Sequence, residues 1–121
     1  CAKMQAKCVI LNQGFDSLIP ALQLGKIDAI VAAMNITPER QKQVDFTHPY
    51  YINTVSLVAA KSKNLSLEPH VLTGKIIGVQ SGTTLGQYLQ NKYGNKIKVQ
   101  SYASEESAFL DLTSGRIDAV L

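Results

Sequence analysis

The sequence predicts an α/β fold made of two lobes of similar build. Two stretches, 8–31 and 74–121, alternate short apolar runs with helical patterns, as in strand–helix–strand units whose strands run parallel. Residues 21–31 and 110–120 also resemble each other, since each has a helical end followed by glycine, a basic residue and Ile-Asp-Ala. Their separation is too large for a solenoid repeat, so two related lobes explain it better. Two lobes imply a cleft between them, and small ligands bind in such clefts.

The first lobe is assigned to residues 1–50. In chain order we expect the tail of a helix at 1–7, a strand at 8–11, a helix capped by Asp16 and ended by Gly25, a buried strand at 26–31, and a short helix opened by Thr37 and Pro38. The strands follow from apolar runs, and both helix starts follow from side-chain oxygens that can accept backbone N–H groups. Proline suits the first helical position because its missing N–H would be unpaired there anyway.

A crossover and a second lobe follow. Residues 51–55 are extended and rich in β-branched side chains, and we assign them to a hinge that leads into the second lobe at 56–121. The expected elements there are a polar loop at 62–69, a strand at 74–79, a turn at 80–84, a helix at 85–93, a strand at 96–102, a helix capped by Ser104 and a final strand at 116–121. Glycines at 94 and 115 are expected to end the two helices.

Composition excludes several classes of protein. Apolar residues make up 45% and charged residues 17% of the chain, which is typical of a globular domain and not of disorder. The net charge of +3 is spread over scattered lysines, so nucleic acid is not an expected partner. No run approaches the roughly 18 apolar residues of a membrane helix. Because the chain starts inside a predicted helix and stops inside a predicted strand, we expect it to be part of a longer protein.

The two cysteines, Cys1 and Cys8, leave two interpretations open. They are either buried thiols or a local disulfide, which would indicate an oxidising compartment. A continuous helix would hold their Cα atoms about 10 Å apart, too far for the bond, so a disulfide requires the helix to end before Cys8. No metal is expected, because His48 and His70 lack ligand spacing and two sulfurs do not make four ligands.

Arg40 is the first candidate for binding chemistry. It lies in the predicted helix that follows the strand at 26–31, which places a permanently charged fork at the mouth of a strand-to-helix turn. Two interpretations stand: a solvated surface arginine beside Glu39 and Lys42, or a group that binds a carboxylate through two parallel hydrogen bonds. The second interpretation predicts an anionic ligand.

The turn at 80–84 is the second candidate. It joins a strand to a helix and carries Thr83 and Thr84. It is either an ordinary joint or an anion site, in which the first N–H groups of the helix and the threonine hydroxyls bind a carboxylate. It lacks the lysine of a phosphate-binding P-loop. Phe15 is a weaker candidate, either a core residue or a cleft wall that stacks on a cation.

A catalytic set cannot be assembled from this sequence. No Cys, His and carboxylate group together as a nucleophile and its base would. The neighbouring acids Glu105 and Glu106 fall on a helix that is predicted to lie at the surface. We therefore expect neither an enzyme nor a cofactor.

Six segments together resemble a known family. In order they are Phe-Asp-Ser-Leu-Ile-Pro-Ala-Leu from 15, Lys-Ile-Asp-Ala-Ile from 26, Met-Asn-Ile-Thr-Pro-Glu-Arg from 34, Asp-Phe-Thr from 45 with Pro-Tyr-Tyr from 49, Gly-Val-Gln-Ser-Gly-Thr-Thr from 78, and Gly-Arg-Ile-Asp-Ala from 115. The set resembles the periplasmic polar-amino-acid solute-binding proteins of ABC transporters, above all the arginine-binding and the lysine/arginine/ornithine- or histidine-binding members. The resemblance implies the two-lobe fold of type II periplasmic binding proteins, incomplete at both ends.

The resemblance also implies site residues. Arg40 matches the arginine that clamps the ligand α-carboxylate, and Thr84, with the backbone near Thr83, matches the second-lobe group that binds the same carboxylate on closure. Ala33 matches the position whose carbonyl receives the α-amino group, and Asn35 stands where the family usually has Ser, Thr or Asp. The remaining matches are the side-chain-pocket position Phe15, the second-lobe stretch Gln80 and Ser81, and a disulfide between Cys1 and Cys8.

The function implied by the resemblance is transport. The protein would bind an L-amino acid, arginine or another basic one, close over it at the hinge, and deliver it to the membrane permease of an ABC importer. It would act in the periplasm after a signal peptide is removed. Because relatives extend beyond both ends of this chain, exposed sheet edges are expected to cause self-association. The rivals are a ligand-sensing receptor domain, a dehydratase, which would need a cleft glutamate as general acid where the sequence shows none, and a truncated piece that binds nothing.

Overall fold

A computed structural model describes residues 2–121. The α-helices and strands are α1 (Leu18–Gln23), α2 (Pro38–Gln41), β1 (Val58–Ala59), α3 (Pro69–Leu72), β2 (Ile76–Gln80), α4 (Leu85–Tyr93), β3 (Lys98–Tyr102), α5 (Glu105–Thr113) and β4 (Ala119–Val120). Single 3₁₀ turns lie at Ala2–Met4, Phe15–Ser17, Lys61–Lys63 and Gly94–Lys96. None of the helices in this range is long and apolar enough to cross a membrane. Cys1 lies outside the described residues, so its disulfide with Cys8 stays a prediction.

The four strands form one sheet in the order β1-β4-β2-β3. β2 pairs in parallel with β3 and with β4, and β1 pairs antiparallel with β4. The strand–helix–strand prediction is confirmed here, because α4 connects β2 to β3 and α5 connects β3 to β4. The carboxyl ends of β2 and β3 consequently lie at the same edge of the sheet. The turn at 80–84 and the start of α5 both follow at that edge.

Both faces of the sheet are packed against helices. On one face, Ile77 and Val79 of β2 belong to the same buried cluster as Leu89 of α4. On the other face, Ala108 of α5 packs with Ile117, which precedes β4. Each large apolar side chain buried in this way stabilises the fold by about 1.5–3 kcal/mol. This packing holds the strand ends and the helix starts that follow them in fixed positions.

Asp118, in the second copy of the Ile-Asp-Ala motif, connects the sheet to a distant turn. Its carboxylate accepts hydrogen bonds from the backbone N–H of Ile76 at 3.0 Å and from Nζ of Lys63 at 2.8 Å. These hydrogen bonds, the backbone one first, hold the pKa of Asp118 below its ordinary value. The motif therefore has a structural role at this position, where it fixes β4 beside β2.

The predicted strands at 8–11 and 26–31 are wrong. Neither stretch pairs with any strand among residues 2–121. The side chain of Ile10 is 93% exposed and that of Val31 is 84% exposed, whereas a buried strand was expected at 26–31. An extended segment becomes a strand only when its backbone N–H and C=O groups find a partner strand. Both stretches have the apolar pattern of a strand, but neither has a partner strand among residues 2–121.

Helix starts follow the sequence more closely. The hydroxyl of Thr37 accepts a hydrogen bond from the backbone N–H of Arg40 at 3.3 Å, with Pro38 at the first helical position. The hydroxyl of Ser104 likewise accepts from the N–H of Ser107 at 3.3 Å and caps α5. The expected cap at Asp16 is wrong, because a 3₁₀ turn occupies Phe15–Ser17 and α1 begins after it without a side-chain cap.

Candidate functional site

One cleft collects most of the predicted binding residues. It encloses about 250 Å³, a size that suits a small metabolite better than a drug-sized ligand, whose pockets span roughly 300–1,000 Å³. Its walls come from both predicted lobes and from the predicted crossover between them. The lining residues are Phe15, Ala32, Ala33, Asn35, Arg40, Asn53, Thr54, Val55, Gln80, Thr83, Thr84, Leu85 and Glu105. Of the eight predicted ligand-binding residues, Ser81 alone does not line this cleft; its backbone N–H donates to Tyr102 O at 2.8 Å.

Arg40 lies between the two walls of the cleft. The cap on α2 fixes its backbone, and its guanidinium donates from Nη1 to the carbonyl oxygen of Asn35 at 2.7 Å. From Nη2 it donates to the carbonyl oxygen of Gly82, on the opposite wall, at 2.9 Å. A guanidinium has five N–H donors, so these two bonds leave donors that a ligand carboxylate can use. The sequence offered two interpretations of Arg40, a solvated surface arginine or a carboxylate-binding group. The structure adds a third role, because Arg40 bridges the cleft through these two hydrogen bonds.

Phe15 supports this guanidinium from the side. The Cζ atom of Arg40 lies 5.6 Å from the centroid of the Phe15 ring, within the range of a cation–π contact. Partial burial lowers the pKa of Arg40 from its ordinary value through desolvation. An arginine nevertheless stays charged in a protein. Phe15 was predicted either to lie in the core or to stack on a cation. In the structure it stacks on a cation, which is the guanidinium of Arg40.

The backbone of Gly82 approaches the opposite wall closely. Its φ angle is +76°, and a Cβ atom built there would lie 2.7 Å from Cα of Asp16. Only glycine adopts this conformation without strain and also tolerates such a contact. The turn at 80–84 consequently rests directly on the 3₁₀ turn that carries Phe15, which sets the width of the cleft at this edge.

The threonine turn places hydrogen-bond donors on the second wall. The hydroxyl of Thr83 donates to the carbonyl oxygen of Gln80 at 2.7 Å, which stabilises the turn. Thr84 precedes α4 and makes no side-chain hydrogen bond to cap it. Thr84 and Leu85 line the cleft, so the unpaired N–H groups of the first turn of α4 lie at its wall. These groups carry partial positive charge, which suits an anion.

Ala33 and its neighbours form a hydrogen-bonded corner of the cleft. Ala33 has an unusual φ of +47°, and its N–H donates to the hydroxyl of Tyr50 at 3.0 Å. Its carbonyl oxygen accepts from Nδ2 of Asn53 at 2.7 Å, and the same Nδ2 lies 2.7 Å from Oδ1 of Asn35. The carbonyl predicted to receive an α-amino group is therefore already bonded once. A second lone pair remains on that oxygen.

Asn53 and Glu105 line the cleft although the sequence did not single them out as ligands. Asn53 is a polar amide among apolar and β-branched residues of the predicted hinge, and that contrast was an available signal. Glu105 was expected at the surface, and it is exposed there while it also lines the cleft. It occupies the first turn of α5, just beyond the carboxyl end of β3, and the parallel pairing of β2 with β3 brings it to the edge where the turn at 80–84 lies.

Comparison with known proteins agrees with this architecture. The chain is 47% identical over 120 residues to ABC transporter arginine-binding protein 1 of Escherichia coli K12, covering 99% of this chain and 48% of that protein. It is 37% identical over 122 residues to the lysine/arginine/ornithine-binding periplasmic protein of the same organism, covering 100% of this chain and 47% of the relative. The chain therefore spans about half the length of these relatives.

A solved structure gives the same result for the fold. An ancestral arginine-binding protein bound to arginine superposes with a TM-score of 0.89 at 40% identity, over 98% of this chain and 53% of that one. The predicted α/β periplasmic-binding-protein fold is thereby confirmed. Residues 1–68 also match the family described as bacterial extracellular solute-binding proteins, family 3. The chain belongs to this family of extracellular solute-binding proteins.

Proposed function

We propose that this chain forms part of a periplasmic binding protein that holds an L-amino acid, arginine or another basic one, and delivers it to the permease of an ABC importer. The observation that carries the proposal is the placement of Arg40, whose guanidinium spans the cleft between Asn35 O and Gly82 O. The names of the relatives, which bind arginine or lysine, arginine and ornithine, support the basic ligand.

The chemistry of capture follows from the two walls. The α-carboxylate of the ligand binds the remaining donors of Arg40 on one side and the helix start at Thr84 on the other. A carboxylate that accepts from a guanidinium and from helical N–H groups forms strong, charge-assisted hydrogen bonds. The α-amino group binds near the carbonyl oxygen of Ala33. Binding both walls at once favours the closed arrangement of the lobes, because a ligand shifts a conformational equilibrium toward the state it binds better.

The proposed movement is a hinge closure at 51–55, which carries the second lobe (56–121) toward the first (1–50). Asn53 lies within this segment and bonds to Ala33 and Asn35 of the first lobe. It therefore attaches one end of the hinge firmly. Closure of this kind concentrates its backbone rotation in a few residues between rigid lobes, and the closed form is the one that the permease recognises.

Titration calorimetry of the protein at its full natural length tests the proposal. We expect arginine, lysine or histidine to bind with micromolar or lower Kd. Micromolar or tighter binding of glutamine without binding of arginine would contradict the basic ligand. The proposal includes no catalysis, so arginine that is bound and then released by denaturation should have an unchanged mass. Failure to bind any amino acid would favour a sensing domain for another ligand or a non-binding piece.

A further inference from the structure

We propose that Tyr50 and Asn53 are positioning residues, which hold the backbone of Ala33 in a left-handed conformation and thereby place the carbonyl oxygen that receives the α-amino group of the ligand. This inference rests on the proposed function and goes further, because it gives two side chains, one beside the hinge and one within it, a role in binding. Neither was among the predicted ligand-binding residues.

The backbone of Ala33 has a conformation that needs support from its surroundings. Its φ angle is +47°, in the left-handed region, where the Cβ atom of an L-residue comes too close to a carbonyl oxygen. Among residues 2–121 the other non-glycine residues with positive φ are Gln5 and Asn64, and neither lines the cleft. Strained residues of this kind persist where the structure around them fixes them, and they cluster at ligand sites.

Two side chains bond to both backbone polar groups of Ala33. Its N–H donates to the hydroxyl of Tyr50 at 3.0 Å, and its carbonyl oxygen accepts from Nδ2 of Asn53 at 2.7 Å. No strand among residues 2–121 pairs with this segment, so side chains take the place of a neighbouring strand. A rotation of Ala33 to the right-handed or extended region would turn these two groups away and break both bonds.

Asn53 also connects this corner to the arginine clamp. Its Nδ2 lies 2.7 Å from Oδ1 of Asn35 as well as 2.7 Å from the oxygen of Ala33, so both N–H donors of the amide are used within the protein. The carbonyl oxygen of Asn35 in turn accepts from Nη1 of Arg40 at 2.7 Å. One hydrogen-bonded network therefore places the proposed groups for the α-amino group and for the carboxylate.

Tyr50 offers the cleaner test of this role, because it does not line the cleft. It lines a neighbouring cavity of about 230 Å³, and Ala33 lies between the two, since it lines both. Tyr50→Phe removes the hydroxyl and keeps the ring. A loss of ligand affinity in this variant therefore acts through Ala33 and not through a contact between the tyrosine and the ligand.

Calorimetry at full natural length would titrate arginine into the wild type, Tyr50→Phe and Asn53→Ala. We expect each variant to weaken binding about twofold to tenfold, because apparent affinity falls with the fraction of protein in the binding conformation. Tyr88→Phe and Asn91→Ala are matched controls, which remove the same groups from α4, where both side chains bond within the helix and lie outside the cleft. The controls should bind like the wild type.

Ala33→Gly provides a rescue experiment. Glycine adopts positive φ values without the clash of a Cβ atom, so the binding conformation depends less on the two hydrogen bonds. The loss caused by Tyr50→Phe should therefore largely disappear when it is combined with Ala33→Gly. A structural role of the tyrosine elsewhere would produce the same loss with alanine or glycine at this position.

A second ligand tests the assignment to the α-amino group. The compound δ-guanidinovaleric acid has the carboxylate and the guanidinium of arginine but no α-amino group. Competition calorimetry, in which arginine is titrated in its presence, measures its Kd when it binds weakly. Tyr50→Phe should weaken the binding of this analogue less than that of arginine.

Three results would overturn the inference: arginine binding as tight in Tyr50→Phe as in Tyr88→Phe, an undiminished loss in the Ala33→Gly background, or equal losses for arginine and its analogue. Thermal unfolding of each variant shows that it is folded. If the wild type binds no amino acid, the proposed function fails and this inference fails with it. Normal wild-type binding with unchanged affinity in Tyr50→Phe refutes this inference alone.

Discussion

Arg40 combines two tasks at a single residue. Its hydrogen bonds to Asn35 and Gly82 connect the walls of the cleft, and its remaining donors are those that a carboxylate would use. A ligand carboxylate that binds these remaining donors adds a charged acceptor to the two carbonyl acceptors. A carboxylate can accept two parallel hydrogen bonds from one guanidinium, which adds geometric specificity as well as energy.

Replacing Arg40 by Ala should therefore weaken arginine binding by about 2–5 kcal/mol, which is at least ~30-fold in Kd. Arg40→Lys keeps the charge but not the planar fork, so its loss should be intermediate. Arg116→Ala is the matched control, because Arg116 pairs with Asp111 at 2.6 Å and does not line the cleft. Calorimetry that finds Arg40→Ala as tight as Arg116→Ala would refute the clamp.

Individual residues were predicted from the sequence where their position depends on near neighbours. The Thr37 cap that orients Arg40 spans three residues, and a cap of this kind is recognisable from local sequence. Glu105 illustrates the opposite case. Its sequence position describes an exposed helix start correctly, and only the pairing of β2 with β3 brings that helix start to the cleft. Asn53 was missed although its amide stands out among the apolar and β-branched residues of 51–55, because its partner Ala33 lies about 20 residues away.

At the scale of elements, the turn at 80–84 matters more than its length suggests. It follows the central strand β2, precedes α4, and contacts Asp16 through the backbone of Gly82. Thr83 and Thr84 line the cleft. The carbonyl oxygen of Gly82 accepts a hydrogen bond from Arg40. A small displacement of this turn would therefore change both the width of the cleft and the contacts of Arg40.

The Gly82→Ala variant should test whether the contact between this turn and Asp16 affects ligand binding. A Cβ atom at φ +76° costs about 1–2 kcal/mol in strain, and here it would also meet Asp16. Gly115→Ala is the matched control, because Gly115 has the same φ of +76° and nothing within 4 Å of the added atom. Both variants should lose similar stability from backbone strain in thermal unfolding, with an added loss for Gly82→Ala. Arginine affinity should fall only in Gly82→Ala, and equal affinities would argue against the contact across the cleft.

Elements were predicted correctly where a partner strand lies among the described residues. The strands at 76–80 and 98–102 find each other through α4, so periodicity and turns sufficed to predict them. The apolar runs at 8–11 and 26–31 have equally good strand patterns and no partner strand within residues 2–121. Backbone pairing is a property of two segments, and a pattern in one segment cannot supply the other.

For the whole molecule, the exposed apolar residues of the first 52 positions stand in contrast to the packed sheet that follows. Val9, Ile10, Val31 and Ile52 are each at least 75% exposed. Exposed apolar surface of this kind is typical of an interface or of an aggregation site. Self-association of this chain by itself stays a prediction.

A crystal structure of the full-length protein with arginine tests the central claim most directly, because that claim is geometric. We predict that the α-carboxylate oxygens lie about 3 Å from the Arg40 guanidinium nitrogens and also contact the helix start at Thr84. Arginine bound elsewhere, with the Arg40 guanidinium still joined only to the carbonyl oxygens of Asn35 and Gly82, would contradict it.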